Sequence, residues 1–172
     1  MLRKASLVLG VVGCGLLLAC STMKTSVDYD HTVNWSQLHT FQIIEGTASP
    51  DTFTQKRIED GITSALTSKG WHAVTSNPDV TVSPHVVLSA EKQWNASGTG
   101  GFRRMGGGMA TATQTEVPIG TIVVNMTNPK TGELIWRGIA QDQVSGGGSD
   151  NGKTQEAMQD LFKNFPPGSG SK

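Results

Sequence analysis

Ile119-Gly120-Thr121-Ile122-Val123-Val124-Asn125-Met126 and Leu134-Ile135-Trp136-Arg137-Gly138-Ile139-Ala140, joined by Asn128-Pro129-Lys130-Thr131-Gly132-Glu133, decide the fold. Both runs are rich in β-branched and aromatic residues, and the connection gathers Asn, Pro and Gly. The stretch therefore reads as two antiparallel strands and a hairpin turn. On the second strand Leu134 and Trp136 share one face, and Ile135 and Arg137 the other. Gly138 suits a bulge or a close backbone approach.

Upstream, Val80–Trp94 is extended, with Pro84 marking an edge position or a bulge. It runs into residues 97–109, where six glycines surround Phe102-Arg103-Arg104-Met105, a composition suited to a hairpin connection and not to a core element. Ser49-Pro50 opens a helix, with serine expected as the N-cap and proline in the first helical position. Ile58, Ile62, Ala65 and Leu66 fall on one stripe of it, and Lys69-Gly70 closes it. Short strands are expected at Thr25–Asp30, Thr40–Ile44 and Trp71–Val74. At the far end, Ala157, Met158, Leu161, Phe162 and Phe165 mark the apolar stripe of a second helix, stopped by Pro166-Pro167. The expected fold is α+β: a mostly antiparallel sheet with two amphipathic helices packed on one face, a two-layer sandwich.

The N-terminus speaks to location. Arg3 and Lys4 precede an apolar run, Ala5–Ala19, that ends in Leu17-Leu18-Ala19-Cys20. Basic residues, an apolar segment and a small residue before the cut make a secretory signal peptide, and the following cysteine makes it a lipoprotein signal. The run is shorter than the ~20 residues needed to span a bilayer. Val11-Val12-Gly13-Cys14 fits the same pattern more loosely, with a shorter apolar segment, and Cys14 stays open as the alternative. The expected organisation is a signal peptide over residues 1–19, a tether over 20–24 lipidated at Cys20, one α+β domain over 25–167, and a tail over 168–172. Ser21 resembles the outer-membrane sorting pattern, so the expected location is the outer membrane, lipid-anchored and facing the periplasm.

Composition excludes several functions. The chain holds 14 basic and 14 acidic residues, and loss of Arg3 and Lys4 with the signal leaves 12 against 14, a net of −2. Such a surface, without a basic run, is not that of a nucleic-acid binder. With Cys20 lipidated and Cys14 removed, no thiol is left for a disulfide, a nucleophile or a metal.

Candidate chemistry is sparse. Gly147-Gly148-Ser149-Asp150-Asn151-Gly152-Lys153-Thr154 fits the phosphate-loop pattern G-x-x-x-x-G-K-[ST]. The preceding segment, with polar Gln141, Asp142 and Gln143, is unlike the buried parallel strand that such a loop follows. It reads instead as a loop entering a helix. His31, His39, His72 and His85 form no metal-ligand spacing, and no serine-nucleophile elbow occurs. Asp28 and Asp30, two apart on a strand, would share a face where a carboxylate pair binds a cation or exchanges protons. Trp35, Trp71 and Trp136 are core candidates. Trp94, bordering the glycine stretch with Phe102, Arg103 and Arg104, is the candidate for contact with a partner.

Gly120-Thr121-Ile122-Val123-Val124-Asn125, followed by Thr131-Gly132-Glu133-Leu134-Ile135-Trp136-Arg137-Gly138, resembles the signature of domain-of-unknown-function family 4136. Val27-Asp28-Tyr29-Asp30, Leu66–Trp71 and Leu161-Phe162-Lys163-Asn164-Phe165-Pro166-Pro167 extend the resemblance over nearly all of residues 25–167. Asn125 and Asn128 depart from it, standing where aspartates are expected. The resemblance implies a small bacterial lipoprotein with an α+β domain and no established activity. The expectation is a non-enzymatic envelope interaction module without cofactor or metal. It is held to the membrane by its lipid and joined to an envelope protein. The alternative is a small-ligand-binding or hydrolytic envelope protein.

Overall fold

The computed structural model describes residues 23–49, 51–97, 111–144 and 151–167. The signal segment with Cys14 and Cys20, and the tail from 168, lie outside the described residues.

Six strands and two helices follow in chain order: β1 (Lys24–Tyr29), β2 (Thr40–Ile43), α1 (Thr52–Ser68), β3 (His72–Ala73), β4 (Val80–Ser97), β5 (Thr111–Thr127), β6 (Leu134–Gln143) and α2 (Asn151–Phe162). The strands make one sheet in the order β1-β6-β5-β4-β2-β3. β1 with β6, β6 with β5 and β5 with β4 are antiparallel, but β2 runs parallel to both β3 and β4. The sheet is mostly antiparallel, as expected, but mixed, with β2 as the parallel exception. The reason is α1: a helix between two strands carries the chain back to the starting end, so β3 enters parallel to β2.

The β5–β6 hairpin closes as its turn chemistry requires. Asn128 N–H donates to the Glu133 carbonyl at 2.9 Å, and Gly132 N–H to the Asn128 carbonyl at 2.8 Å. Gly132 sits at φ +75°, a conformation that glycine adopts without a Cβ clash. At the other edge, Asp79 fastens β2 to the start of β4. Its carboxylate accepts from His39 N–H (3.0 Å), Thr40 N–H (2.9 Å) and Thr40 Oγ1 (2.8 Å). Pro84 lies just beyond Val82, where the pairing of β4 with β2 ends. A missing N–H costs no ladder bond there.

Two further expectations shift. The N-cap of α1 is Asp51, not Ser49, and its side chain accepts from the N–H groups of Phe53 and Thr54. Two carboxylate oxygens satisfy two orphan donors, where a serine hydroxyl satisfies one. α2 ends at Phe162, before the prolines, and Phe165 follows outside the helix with its N–H on the Phe162 carbonyl (3.1 Å).

Register explains the core. Val82, Met126 and Trp136 stand opposite one another across β4, β5 and β6, and Pro84, Val124 and Gly138 form the next row. Ile58, Ile62 and Leu66 of α1 and Met158, Leu161 and Phe162 of α2 join these residues in one buried cluster. α1 packs on α2 and β3, and α2 on β1 and β6. Gly61 permits the helix contact, because a Cβ there would lie 2.7 Å from Met158 Cγ. The Trp136 ring stacks on Phe162 (centroids 5.1 Å apart, 16° between planes). Phe165 meets Trp35, Trp71 and Trp136 edge-on at 5.7, 5.2 and 5.9 Å.

Gly138 is a place of close approach and not of a bulge. A Cβ at Gly138 would come within 2.5 Å of Trp136 Cη2 and 3.1 Å of Leu161 Cδ2. The tryptophan two residues earlier thus lies along its own strand, over the glycine.

Candidate functional site

Two regions of the described residues offer surface for function, a projecting ribbon and a cavity beside it. β6 pairs with β5 only as far as Ile119 opposite Gln143, and β2 leaves β4 at Val82. Val144 N–H still donates to the Pro118 carbonyl at 2.8 Å, and beyond it Glu91–Ser97 and Thr111–Val117 pair, among the described residues, with each other. At a rise of about 3.4 Å per residue this ribbon projects roughly 25 Å past the sheet. Its described side chains are exposed apart from a half-buried Val117. Lys92 stands opposite Glu116, and Trp94, opposite Gln114, is 70% exposed. Of the contact residues expected from sequence, the structure places Trp94 on this ribbon. Phe102, Arg103 and Arg104 lie in the 98–110 segment outside the described residues.

The cavity, ≈ 400 Å³ in volume, lies at the base of the ribbon. Val86, Ile122 and Ala140 stand in one row across β4, β5 and β6, and Leu88, Gly120 and Asp142 in the next. All six line it, together with Met23 and with Ala157 and Thr154 of α2. Ala140 and Ala157 stand where larger residues would fill the space, while Gly120 admits Val144, whose Cγ2 would lie 2.9 Å from a Cβ there. Charge enters as a pair, with Lys153 Nζ 2.8 Å from Asp142 Oδ2 and donating to the Gln143 carbonyl at 3.2 Å, and as the Asp51 carboxylate that caps α1. Thr154, 8% exposed, is the buried polar residue of this lining. Nothing in the sequence announces this cavity, since its lining comes from five elements, α1, β4, β5, β6 and α2.

The phosphate-loop match falls largely in the 145–150 segment outside the described residues. Its Lys153 is engaged by Asp142, carried on an antiparallel strand. Asp28 and Asp30 line one shallow groove together with Arg137, and each carboxylate accepts a local hydrogen bond. Asp28 accepts from Tyr29 N–H at 2.9 Å, while Asp30, past the end of β1, accepts from Thr32 N–H and Oγ1, both at 2.7 Å. The Thr32 backbone hydrogen bond, foremost, holds the Asp30 carboxyl below its ordinary range. Among the described residues no three His, Cys, Asp or Glu side chains gather as a metal site. His85 Nδ1 accepts from Thr47 N–H at 3.0 Å. His31 lies with its ring 4.4 Å from that of Tyr29. Trp35, Trp71 and Trp136 are buried, at 8%, 2% and 1% exposure. Arg137 Nε donates to Asn125 Oδ1 at 2.9 Å, so the asparagine at this departure position serves as a cross-strand partner.

Solved structures share the fold at low identity. A PDZ domain protein from Parabacteroides distasonis is similar at a TM-score of 0.56 and 15% identity, covering 84% of this chain and 35% of that one. The chain thus spans about a third of that protein's length. A PelC dodecamer from Paraburkholderia phytofirmans is similar at a TM-score of 0.51 and 8% identity, covering 81% of this chain and 94% of that one. Lipoprotein GNA1162 from Neisseria meningitidis follows at 0.42 and 10%, covering 73% and 96%. No curated protein sequence matches the chain. One family does match, over residues 25–167, and the chain belongs to it: it is a member of the family described as a domain of unknown function (DUF4136).

Proposed function

We propose that this chain is a non-enzymatic envelope lipoprotein, anchored at Cys20 in the outer membrane and facing the periplasm, whose ribbon engages another envelope protein. Its two helices form one layer against the sheet and leave the ribbon clear. The observation that carries the reading is the ribbon itself. A two-stranded hairpin is marginally stable alone in water, and this one presents both faces, both edges and Trp94 to its surroundings. Aromatic residues held out on such an element are the usual anchors of an interface. PelC assembles as a dodecamer, which makes a second copy of this chain the first partner to test.

The anchor is tested by labelling cells with radioactive palmitate. Label should enter the wild type and sediment with outer membranes, and Cys20→Ser should take up none. Equal labelling of Cys20→Ser would move the lipid to another residue. The interaction is tested by purifying the lipidated protein from cross-linked envelopes beside Trp94→Ala. A partner recovered with the wild type and depleted with Trp94→Ala, whose melting temperature is unchanged, supports the reading. Equal recovery removes Trp94 from the interface.

A further inference from the structure

The cavity at the base of the ribbon carries an inference separate from the ribbon's role. We propose that it is a binding site for a single aliphatic chain ending in a hydrogen-bonding head group, the chemistry of a fatty acyl group. Its volume, ≈ 400 Å³, falls within the range of about 300–1,000 Å³ over which small-molecule sites occur. Val86, Leu88, Ile122, Ala140 and Ala157 present hydrocarbon to the space. Among the described residues Val86 and Ile122 are only half covered, and Leu88 remains 59% exposed. An aliphatic chain supplies that cover.

Thr154 points to the head group. It is the buried polar residue among those described, and it lines the cavity. A hydroxyl on an otherwise largely hydrocarbon wall is the natural contact for a ligand oxygen. The neighbouring Lys153 is held by Asp142 at 2.8 Å, so the rim has no uncompensated cation to attract a polyphosphate. One neutral or singly charged head group, such as an ester or a carboxyl, fits this balance.

Met23 also lines the cavity, where the chain enters the domain. Two residues, Ser21 and Thr22, separate it from Cys20, and the three steps between them reach about 10 Å. Two sources of the same chemistry are thus at hand, a lipid from outside and the acyl chain on Cys20.

Calorimetric titration of laurate into full-length Cys20→Ser protein tests the proposal, with the lipidated protein in a parallel arm. Laurate should bind Cys20→Ser at one site. Leu88→Asp, at an exposed position, should weaken binding by about tenfold or more without lowering the melting temperature. Thr154→Val should weaken it by roughly threefold to tenfold. With no ligand present it should leave the melting temperature near that of the wild type, because threonine and valine have nearly the same shape. Binding to Cys20→Ser but not to the lipidated protein assigns the site to the protein's own acyl chain. Binding to both assigns it to an external lipid. No laurate binding by Cys20→Ser, or equal binding by Leu88→Asp, overturns the proposal.

Discussion

Gly138 and Asp79 show how single residues hold this fold. The Trp136 ring occupies the space beside Gly138, so Gly138→Ala forces either the ring off Phe162 or the strand away from Leu161. Overpacking of this kind costs about 1–3 kcal/mol, and chemical denaturation should show a loss of that size. A smaller loss, under about 0.5 kcal/mol, would mean that Trp136 repacks freely. Asp79 acts through charge. The backbone hydrogen bond from His39, followed by those from Thr40, holds its carboxyl below the ordinary value of 3.8 despite partial burial. A group lowered in the folded state contributes stability that is complete above 3.8 and is lost as the pH falls through the folded value. Asp79→Ala should therefore lower stability by about 2 kcal/mol at neutral pH. The gap from wild type should narrow only below 3.8 in melting curves taken across the acid range. A gap constant down to low pH would deny the carboxylate this role.

At the scale of elements, some signals were local and others were not. The β5–β6 hairpin was legible because its turn residues and strand composition agree, and Gly132 takes the conformation that the turn demands. The apolar stripes of α1 and α2 were legible for the same reason: Ile58, Ile62 and Leu66, like Met158, Leu161 and Phe162, are buried. The start of α1 was misread. Ser49-Pro50 carries a strong start signal, but Asp51 two residues on offers two acceptors to Phe53 and Thr54. The Thr54 hydroxyl hydrogen bond, foremost, also lowers the Asp51 pKa. Asp51→Ala should lower the melting temperature and loosen amide exchange protection in the first turn of α1, while Ser49→Ala should leave both in place. The reverse order would restore Ser49 as the cap. The ribbon was half legible. Its strands were expected, but its separation from the rest of the sheet depends on where β2 and β6 stop pairing, and no local pattern encodes that.

For the whole molecule, the sequence carried the family and the α+β class, both of which follow from elements that announce themselves one at a time. The parallel pairing of β2 with β3 and β4 was not legible, because β3 is two residues long and its place is set by where α1 delivers it. The cavity was hidden for a related reason. It arises where the small residues Ala140 and Ala157 meet between a strand and a helix.

The central claim, an anchored domain that works through its ribbon, makes position 94 the informative site. A photo-cross-linking amino acid placed there, in cells with native envelopes, reads contact directly. A matched probe at exposed Lys130, in the β5–β6 turn, serves as the control. The account predicts a discrete light-dependent adduct at 94, absent at 130 and lost when Cys20→Ser removes the anchor. No adduct at 94, or the same adducts from both positions, would contradict it.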